Sequence, residues 1–186
     1  YYYNNSLYRV LMDLNANYRS DRTAYTQKLL DFLSVQYRTR VDGQINLNWL
    51  ENHDTVLWSG DRMRAVELYG EDWAKNMFRM ISWIDGVPVL YMGDENAAAY
   101  GVGTGDLSDF FRGIFAFRQE HLTPEMETEY IASDKPVFAF TRGGEYLVLL
   151  NFSGEAQTFP TGSGTVLYAD GGTWENNTAA LEGYGC

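Results

Sequence analysis

Two kinds of pattern divide this sequence. Together they predict a parallel α/β region followed by a small antiparallel all-β module. Up to His121, stretches with apolar residues at helical spacing alternate with strand-like segments, and such alternation implies parallel βα units. After Pro124 the helical spacing stops, and short β-rich runs separated by glycines take over. A third observation sets the scale: 186 residues, 45% hydrophobic and 21% charged, suit a globular chain of one large or two small domains. We divide the chain into residues 1–128 and 129–186.

In order along the chain, Leu7 to Leu14 is a mixed apolar run read as helical. Ser20 and Asp21 are candidate N-caps for a helix carrying Tyr25, Leu29, Phe32, Leu33 and Tyr37 on one face. Asp42-Gly43 is a turn. Ile45, Leu47 and Trp49 then alternate with Asn46 and Asn48, the period of a strand running to Leu50. Gly60 and Asp61 break the chain. Glu71 and Asp72 favour a helix start through the macrodipole. Trp73, Met77, Met80, Ile81 and Ile84 recur at helical spacing behind them, and Gly86 ends the helix.

Val87-Pro88-Val89-Leu90-Tyr91-Met92 is apolar without alternation, as a strand covered on both faces reads. Pro88 sits at its start, where a missing N–H is tolerated, and Gly93-Asp94-Glu95 closes it. A Gly-rich loop runs to Gly105. Asp106 and Asp109 then read as the cap of a helix bearing Leu107, Phe110, Phe111, Ile114, Phe115 and Arg118. In the β module we expect strands at Val137 to Phe140, Tyr146 to Phe152, Gln157 to Phe159 and Val166 to Tyr168, with Cys186 inside a last strand. Gly143-Gly144, Ser153-Gly154, Gly162-Ser163-Gly164 and Gly171-Gly172 punctuate them.

Charge and composition exclude several function classes. A net charge of −11 argues against nucleic acid and against anionic membrane surfaces as partners. No apolar run approaches the ~20 residues of a membrane span, and no signal-peptide pattern opens the chain. The two His and one Cys exclude a zinc site built from those residues, and the lone Cys186 forms no internal disulfide. No cofactor is expected in this chain, and an extracellular and a cytoplasmic setting both remain open. The 14 Tyr and 5 Trp exceed the needs of a core, which fits sugar-stacking surfaces as well as ordinary packing.

Chemistry concentrates in Trp49-Leu50-Glu51-Asn52-His53-Asp54-Thr55. Asn52, His53 and Asp54 fall where a strand ends and a loop begins, the end at which α/β barrels carry catalytic residues. The imidazole can donate to a sugar or phosphate oxygen, and the carboxylate can face developing positive charge. A plain polar strand cap, with Asn and Asp satisfying backbone groups, is the alternative.

These residues, with the second acidic strand end, resemble the C-terminal half of an α-amylase family glycoside hydrolase. Leu50-Glu51-Asn52-His53-Asp54 is similar to the family's motif at the end of barrel strand seven, and Gly86 to Glu95 to its strand-eight segment. Asp106 to His121 resembles the last barrel helix, with Arg118 in the usual place, and Tyr2-Tyr3-Asn4-Asn5 resembles the tail of strand six. The resemblance implies that residues 1–128 are the closing units of a (β/α)8 TIM barrel and residues 129–186 a C-terminal β-sandwich.

It further implies α-glucan substrates such as starch or maltooligosaccharides. Asp54 would stabilise the transition state of a retaining glycosidase, and His53, Asn52 and Trp58 would bind the sugar; rim packing is equally open for Trp58. The nucleophile and general acid would lie upstream, in a missing N-terminal barrel half, as would the family's usual calcium site, which leaves calcium open for the full-length protein. On its own the chain should be inactive, and its sheet should show an unpaired edge prone to association. Arg40-Val41-Asp42-Gly43 has the nucleophile segment's Arg-x-Asp spacing, but the residues between Asp42 and Asp54 are too few for even one parallel crossover. Asp94 and Glu95 are read as structural hydrogen bonders at the rim. A carbohydrate-binding or chaperone-like relative without catalysis is the competing function.

Overall fold

A computed structural model describes residues 1–58, 64–97 and 105–186, with the side chains of Leu57 and Trp58 outside that description. The break read at Gly60-Asp61 and most of the Gly-rich loop also lie outside the described residues. The chain divides into two compact units, and the division is discontinuous in sequence. Tyr1–Tyr8 and Ile45–Glu125 form one; Arg9–Gln44 and Met126–Cys186 form the other.

The first unit is built on a parallel sheet in the order β1 (Tyr2–Tyr3), β2 (Asn46–Asn48), β3 (Val87–Pro88). Tyr2 pairs with Asn46 and Leu47 with Val87. The two strands read from the sequence therefore lie side by side, and the Tyr2-Tyr3 segment flanks them. Both are shorter than expected. β2 stops at Asn48, and the expected run to Met92 is a strand only over Val87–Pro88, half-buried rather than covered on both faces. The alternation in β2 is also inverted: Asn46 and Asn48 are buried, whereas Ile45 and Leu47 are half-buried.

The reason is hydrogen bonding. Asn48 accepts from Asn4 Nδ2 at 2.8 Å and donates through its own Nδ2 to Asp85 O at 2.7 Å. Its amide thus stitches the end of β1 to the segment leading into β3, and a buried polar group so paired is tolerated. Gly86 lies against the same strand. At φ +91, a Cβ there would overlap Asn46 O and come within 3.2 Å of Asn48 Nδ2, so only glycine fits.

Helices follow on this sheet. α3 (Ala65–Tyr69), which periodicity does not reveal, leads through Gly70 into α4 (Glu71–Trp83). The Tyr69 and Trp73 rings meet edge to face at 4.9 Å. As expected, α4 buries Trp73, Met77, Met80 and Ile81, and Ile84 caps it, also buried. α5 (Ser108–His121) packs on α4 through Phe78 against Phe111 at 4.9 Å and Trp83 against Phe117 at 5.1 Å. Asp106 Oδ1 accepts from Ser108 N at 2.9 Å ahead of that helix. Arg118 donates to Ser82 O, and to Gly86 O at 2.5 Å, which ties α5 to the C-terminal end of α4.

α1 (Asn5–Tyr18) and α2 (Arg22–Thr39) connect β1 to β2. Asp21 caps α2 by accepting from Ala24 N at 3.0 Å, as its position suggests. In the second unit α2 packs on β4 (Thr128–Ile131) and β5 (Val137–Arg142). The Tyr37 hydroxyl accepts from Thr128 N at 3.1 Å, and Gln27 Nε2 donates to Ser133 O at 3.0 Å. β4, β5 and β6 (Tyr146–Asn151) form one antiparallel sheet; β7 (Gln157–Pro160), β9 (Thr178–Leu181) and β8 (Gly172–Glu175) form another.

β5 is buried on both faces. Phe138 and Phe140 join Tyr130 and Phe152 in an aromatic cluster, with Tyr25 of α2 edge-on to Phe152 at 6.4 Å. The opposite parity, Val137 and Ala139, packs with Leu149, Ala179 and Leu181. Two expectations fail in this unit. Val166 and Leu167 lie in no strand and are about half exposed, at 50% and 54%. Cys186 sits outside β9, exchanging backbone hydrogen bonds with Asp170. The turn Asn176-Asn177, with both φ positive at 50 and 58, pairs β8 with β9 instead and leaves Val166 to Tyr168 outside the sheet.

Candidate active site at the end of strand β2

Past Asn48 the chain buries Trp49 and Leu50, with the Trp49 ring stacked on Tyr8 at 4.5 Å. Glu51 is buried next. Asn52 then ends the extended segment and starts a helical turn. Its Oδ1 accepts from Asp54 N at 2.9 Å and Thr55 N at 3.2 Å, and its carbonyl accepts from Val56 N at 3.0 Å. Thr55 Oγ1 returns the bond by accepting from Asn52 N at 3.0 Å. The result is a short π-helical turn over Asp54–Trp58. Asn52 Oδ1 is thereby committed to the backbone, in the manner of an Asx turn.

This turn presents His53 and Asp54 to solvent, with side chains 64% and 72% exposed and His53 Nε2 at 3.2 Å from Asp54 Oδ1. The pair is a charged one only when His53 is protonated. Both lie on the C-terminal side of the middle strand of the parallel sheet. Trp58 ends the same turn in its backbone, and its side chain lies outside the described residues. Asp42 occupies the exposed turn closed by Gln44 N donating to Val41 O at 2.9 Å.

Glu51, just ahead of the exposed pair in the chain, belongs to a buried cluster that the sequence pattern reveals only in part. Arg64 Nε lies 2.5 Å from Glu51 Oε1, an ion-pair contact, while Glu51 Oε2 accepts from Ala65 N. Arg64 Nη2 donates to Met92 O at 2.9 Å and lies 3.4 Å from Asp94 Oδ1. Asp94 Oδ2 accepts from Tyr91 N at 2.7 Å. Burial first, and then the neighbouring Glu51 carboxylate, push the Asp94 carboxyl up to about 8; Tyr91 N–H and Arg64 oppose this without cancelling it. Asp94 is thus a buried member of a charged cluster as well as a hydrogen bonder. Glu51 carries one available signal in the sequence, a charged residue beside apolar neighbours just past a strand; Arg64, ahead of α3, carries none. Among the described residues no group of three or more His, Cys, Asp or Glu is placed to hold a metal ion. No described helix is long and apolar enough to cross a membrane.

A short parallel sheet with helices after its strands, followed by small antiparallel sheets, is the fold of the C-terminal region of α-amylase-type structures. The chain superposes on an alpha-amylase from Lactobacillus plantarum with a TM-score of 0.73 at 15% identity, over 98% of this chain and 45% of that one. An alpha-amylase from H. orenii gives 0.66 at 18% identity, over 98% and 47%. An alpha-glucosyl transfer enzyme, XgtA, gives 0.60 at 16% identity, over 87% and 42%. At these identities the likeness is one of fold. The chain spans a little under half the length of the solved structures it matches. No protein-family model matches the chain, and no curated protein matches it.

Proposed function

We propose that this chain is the C-terminal part of a retaining α-glycosidase of the α-amylase family, acting on α-glucans. Residues 1–128 supply the closing units of its (β/α)8 barrel and residues 129–186 its β-sandwich. The observation that carries the reading is the His53–Asp54 pair, side by side on the turn after the middle strand of a parallel sheet. In a retaining mechanism a nucleophilic carboxylate and a carboxylic acid ~5–5.5 Å apart act on an oxocarbenium-like transition state. Asp54 is the third carboxylate, the one that faces this positive charge. His53 donates to sugar hydroxyls, Asn52 adds its Nδ2 as a donor, and Trp58 offers a ring for stacking.

Exposure explains why this chain needs more walls. In bulk water a unit-charge pair 4 Å apart is worth only about 1 kcal/mol. Asp54 gains catalytic weight when water is excluded and the charge is held by a preorganised site. Tyr2 and Tyr3 on β1 are exposed at the sheet edge, where upstream strands carrying the nucleophile and acid would pair. Calcium, if the complete protein holds it, is placed by those upstream residues.

The test is maltooligosaccharide hydrolysis by the full-length protein that contains this chain. We expect Asp54→Asn to lower kcat by on the order of 10²–10³ without unfolding the protein, and His53→Ala to raise KM with a smaller loss of kcat. The chain alone should be inactive. Near-normal turnover by Asp54→Asn would refute the role given to Asp54. Glucan binding without turnover by the complete protein would favour a carbohydrate-binding relative that kept the scaffold.

A further inference from the structure

Just before the turn that carries His53 and Asp54, Glu51 joins a second acid and a base that are buried with it. Glu51 is 2% exposed, Asp94 7% and Arg64 9%. The three come from different places: the end of β2, the residue ahead of α3, and the segment after β3. Arg64 reaches both carboxylates, and among the described residues Glu51 and Arg64 are the charged groups that act on Asp94. From α3, Glu67 faces the cluster only through Arg64 N, which donates to its Oε2 at 2.9 Å. From the β3 side, the Tyr91 ring lies 5.4 Å from the Arg64 guanidinium. With both acids ionised the cluster would bury one uncompensated negative charge, which is expensive. A proton kept on the Asp94 carboxyl removes it.

We propose that the Glu51–Arg64–Asp94 cluster is a positioning device for the turn carrying Asn52, His53 and Asp54, holding that turn while the Asp94 carboxyl keeps its proton and loosening it when the proton leaves. Glu51 is the residue before Asn52, so any shift of its side-chain anchor is passed straight into the turn. The raised Asp94 carboxyl sets the direction. A folded-state value of about 8, above the ordinary carboxylate range of about 4, gives stability that is complete below pH ~4 and is lost as pH rises through about 8. Between those limits the closed state holds one more proton than the open one. The closing equilibrium then weakens about tenfold per pH unit. The inference builds on the reading of His53 and Asp54 as sugar-facing groups, but its test reads the turn and not catalysis.

Hydrogen exchange measured by mass spectrometry on the full-length protein, corrected for the intrinsic exchange rate at each pH, reads the amides of Asp54, Thr55 and Val56. All three are hydrogen-bonded to Asn52. Their protection should fall by up to about tenfold per pH unit between pH ~5 and about 8. Asp94→Asn, which mimics the protonated acid in shape, should make that protection nearly independent of pH. Glu51→Gln should do the same, because Asp94 is then balanced by Arg64, and it serves if Asp94→Asn does not fold. A merely structural role would lower protection equally at every pH. A flat profile in the unmodified protein, or an unchanged slope in both variants, would overturn the proposal. A slope with no glucan turnover would overturn the enzymatic reading alone, and turnover without a slope would overturn the positioning device alone.

Discussion

Replacing Gly86 by alanine perturbs the fold at one defined point. The residue sits at φ +91 where α4 gives way to β3. Two separate costs arise there. Holding an L-residue in the left-handed region costs roughly 1–2 kcal/mol. The added methyl group also meets backbone: it overlaps Asn46 O and lies 3.2 Å from Asn46 C and from Asn48 Nδ2. Backbone cannot rotate away as a flexible side chain would, so β2 and β3 must separate. Overpacking of this kind costs typically about 1–3 kcal/mol. The combined destabilisation is about 2–5 kcal/mol. Urea unfolding followed by tryptophan fluorescence reads it, since Trp49, Trp73 and Trp83 are all buried in this unit. Gly70→Ala separates the two contributions. Gly70 is at φ +81 and ψ 153, an extended positive-φ conformation, and a methyl group added there would meet nothing within 4 Å, so it should show a conformational cost of about 1–3 kcal/mol with no overlap. Equal losses for Gly70→Ala and Gly86→Ala would refute the steric argument, and a loss below about 0.5 kcal/mol for Gly86→Ala would refute both.

Two further substitutions test the packing in each unit. Asn48→Ala removes one hydrogen bond from Asn4 Nδ2 and one to Asp85 O in a buried setting, and should destabilise by about 1–3 kcal/mol in urea unfolding. In the other unit, Phe138→Ala removes a fully buried ring stacked on Phe152 with centroids 5.4 Å apart. It should cost about 3–5 kcal/mol, read as a fall in the urea midpoint with little change in m.

What the sequence makes legible is what depends on local pattern. Trp73, Met77, Met80 and Ile81 announce the buried stripe of α4 because residues three and four apart share a helix face. Asp21 announces the start of α2 because a cap bonds within its own first turn. The motif around Asn52 to Asp54 is visible as a change from alternation to polar residues at a strand end. The pattern misleads where long-range partners decide. Asn46 and Asn48 look like the solvent side of a strand, yet the partners that bury Asn48, Asn4 and Asp85, are 44 and 37 residues away. Val166-Leu167-Tyr168 has strand propensity, but the strand positions beside β9 are filled by β7 and β8. Arg64, and the burial of Glu51, escape notice for the same reason: a charge is recognisable as buried only once its counter-charge is in place.

The discontinuous division of the chain has a consequence for how it is made. α2 presents Tyr25, Leu29, Leu30 and Leu33, all buried in the finished fold, but its partners β4 and β5 begin only at Thr128. About 80 residues of the other unit are synthesised in between, which at 5–20 residues per second takes roughly 4–16 s. Throughout that interval a greasy helical face waits on the ribosome without the sheet that will cover it. The β5–β6 hairpin, closed locally through Gly143-Gly144, can form within microseconds of its emergence. Docking of α2 is therefore the late, long-range event, and the nascent chain is most exposed to chaperone capture or misassociation before β4 and β5 emerge.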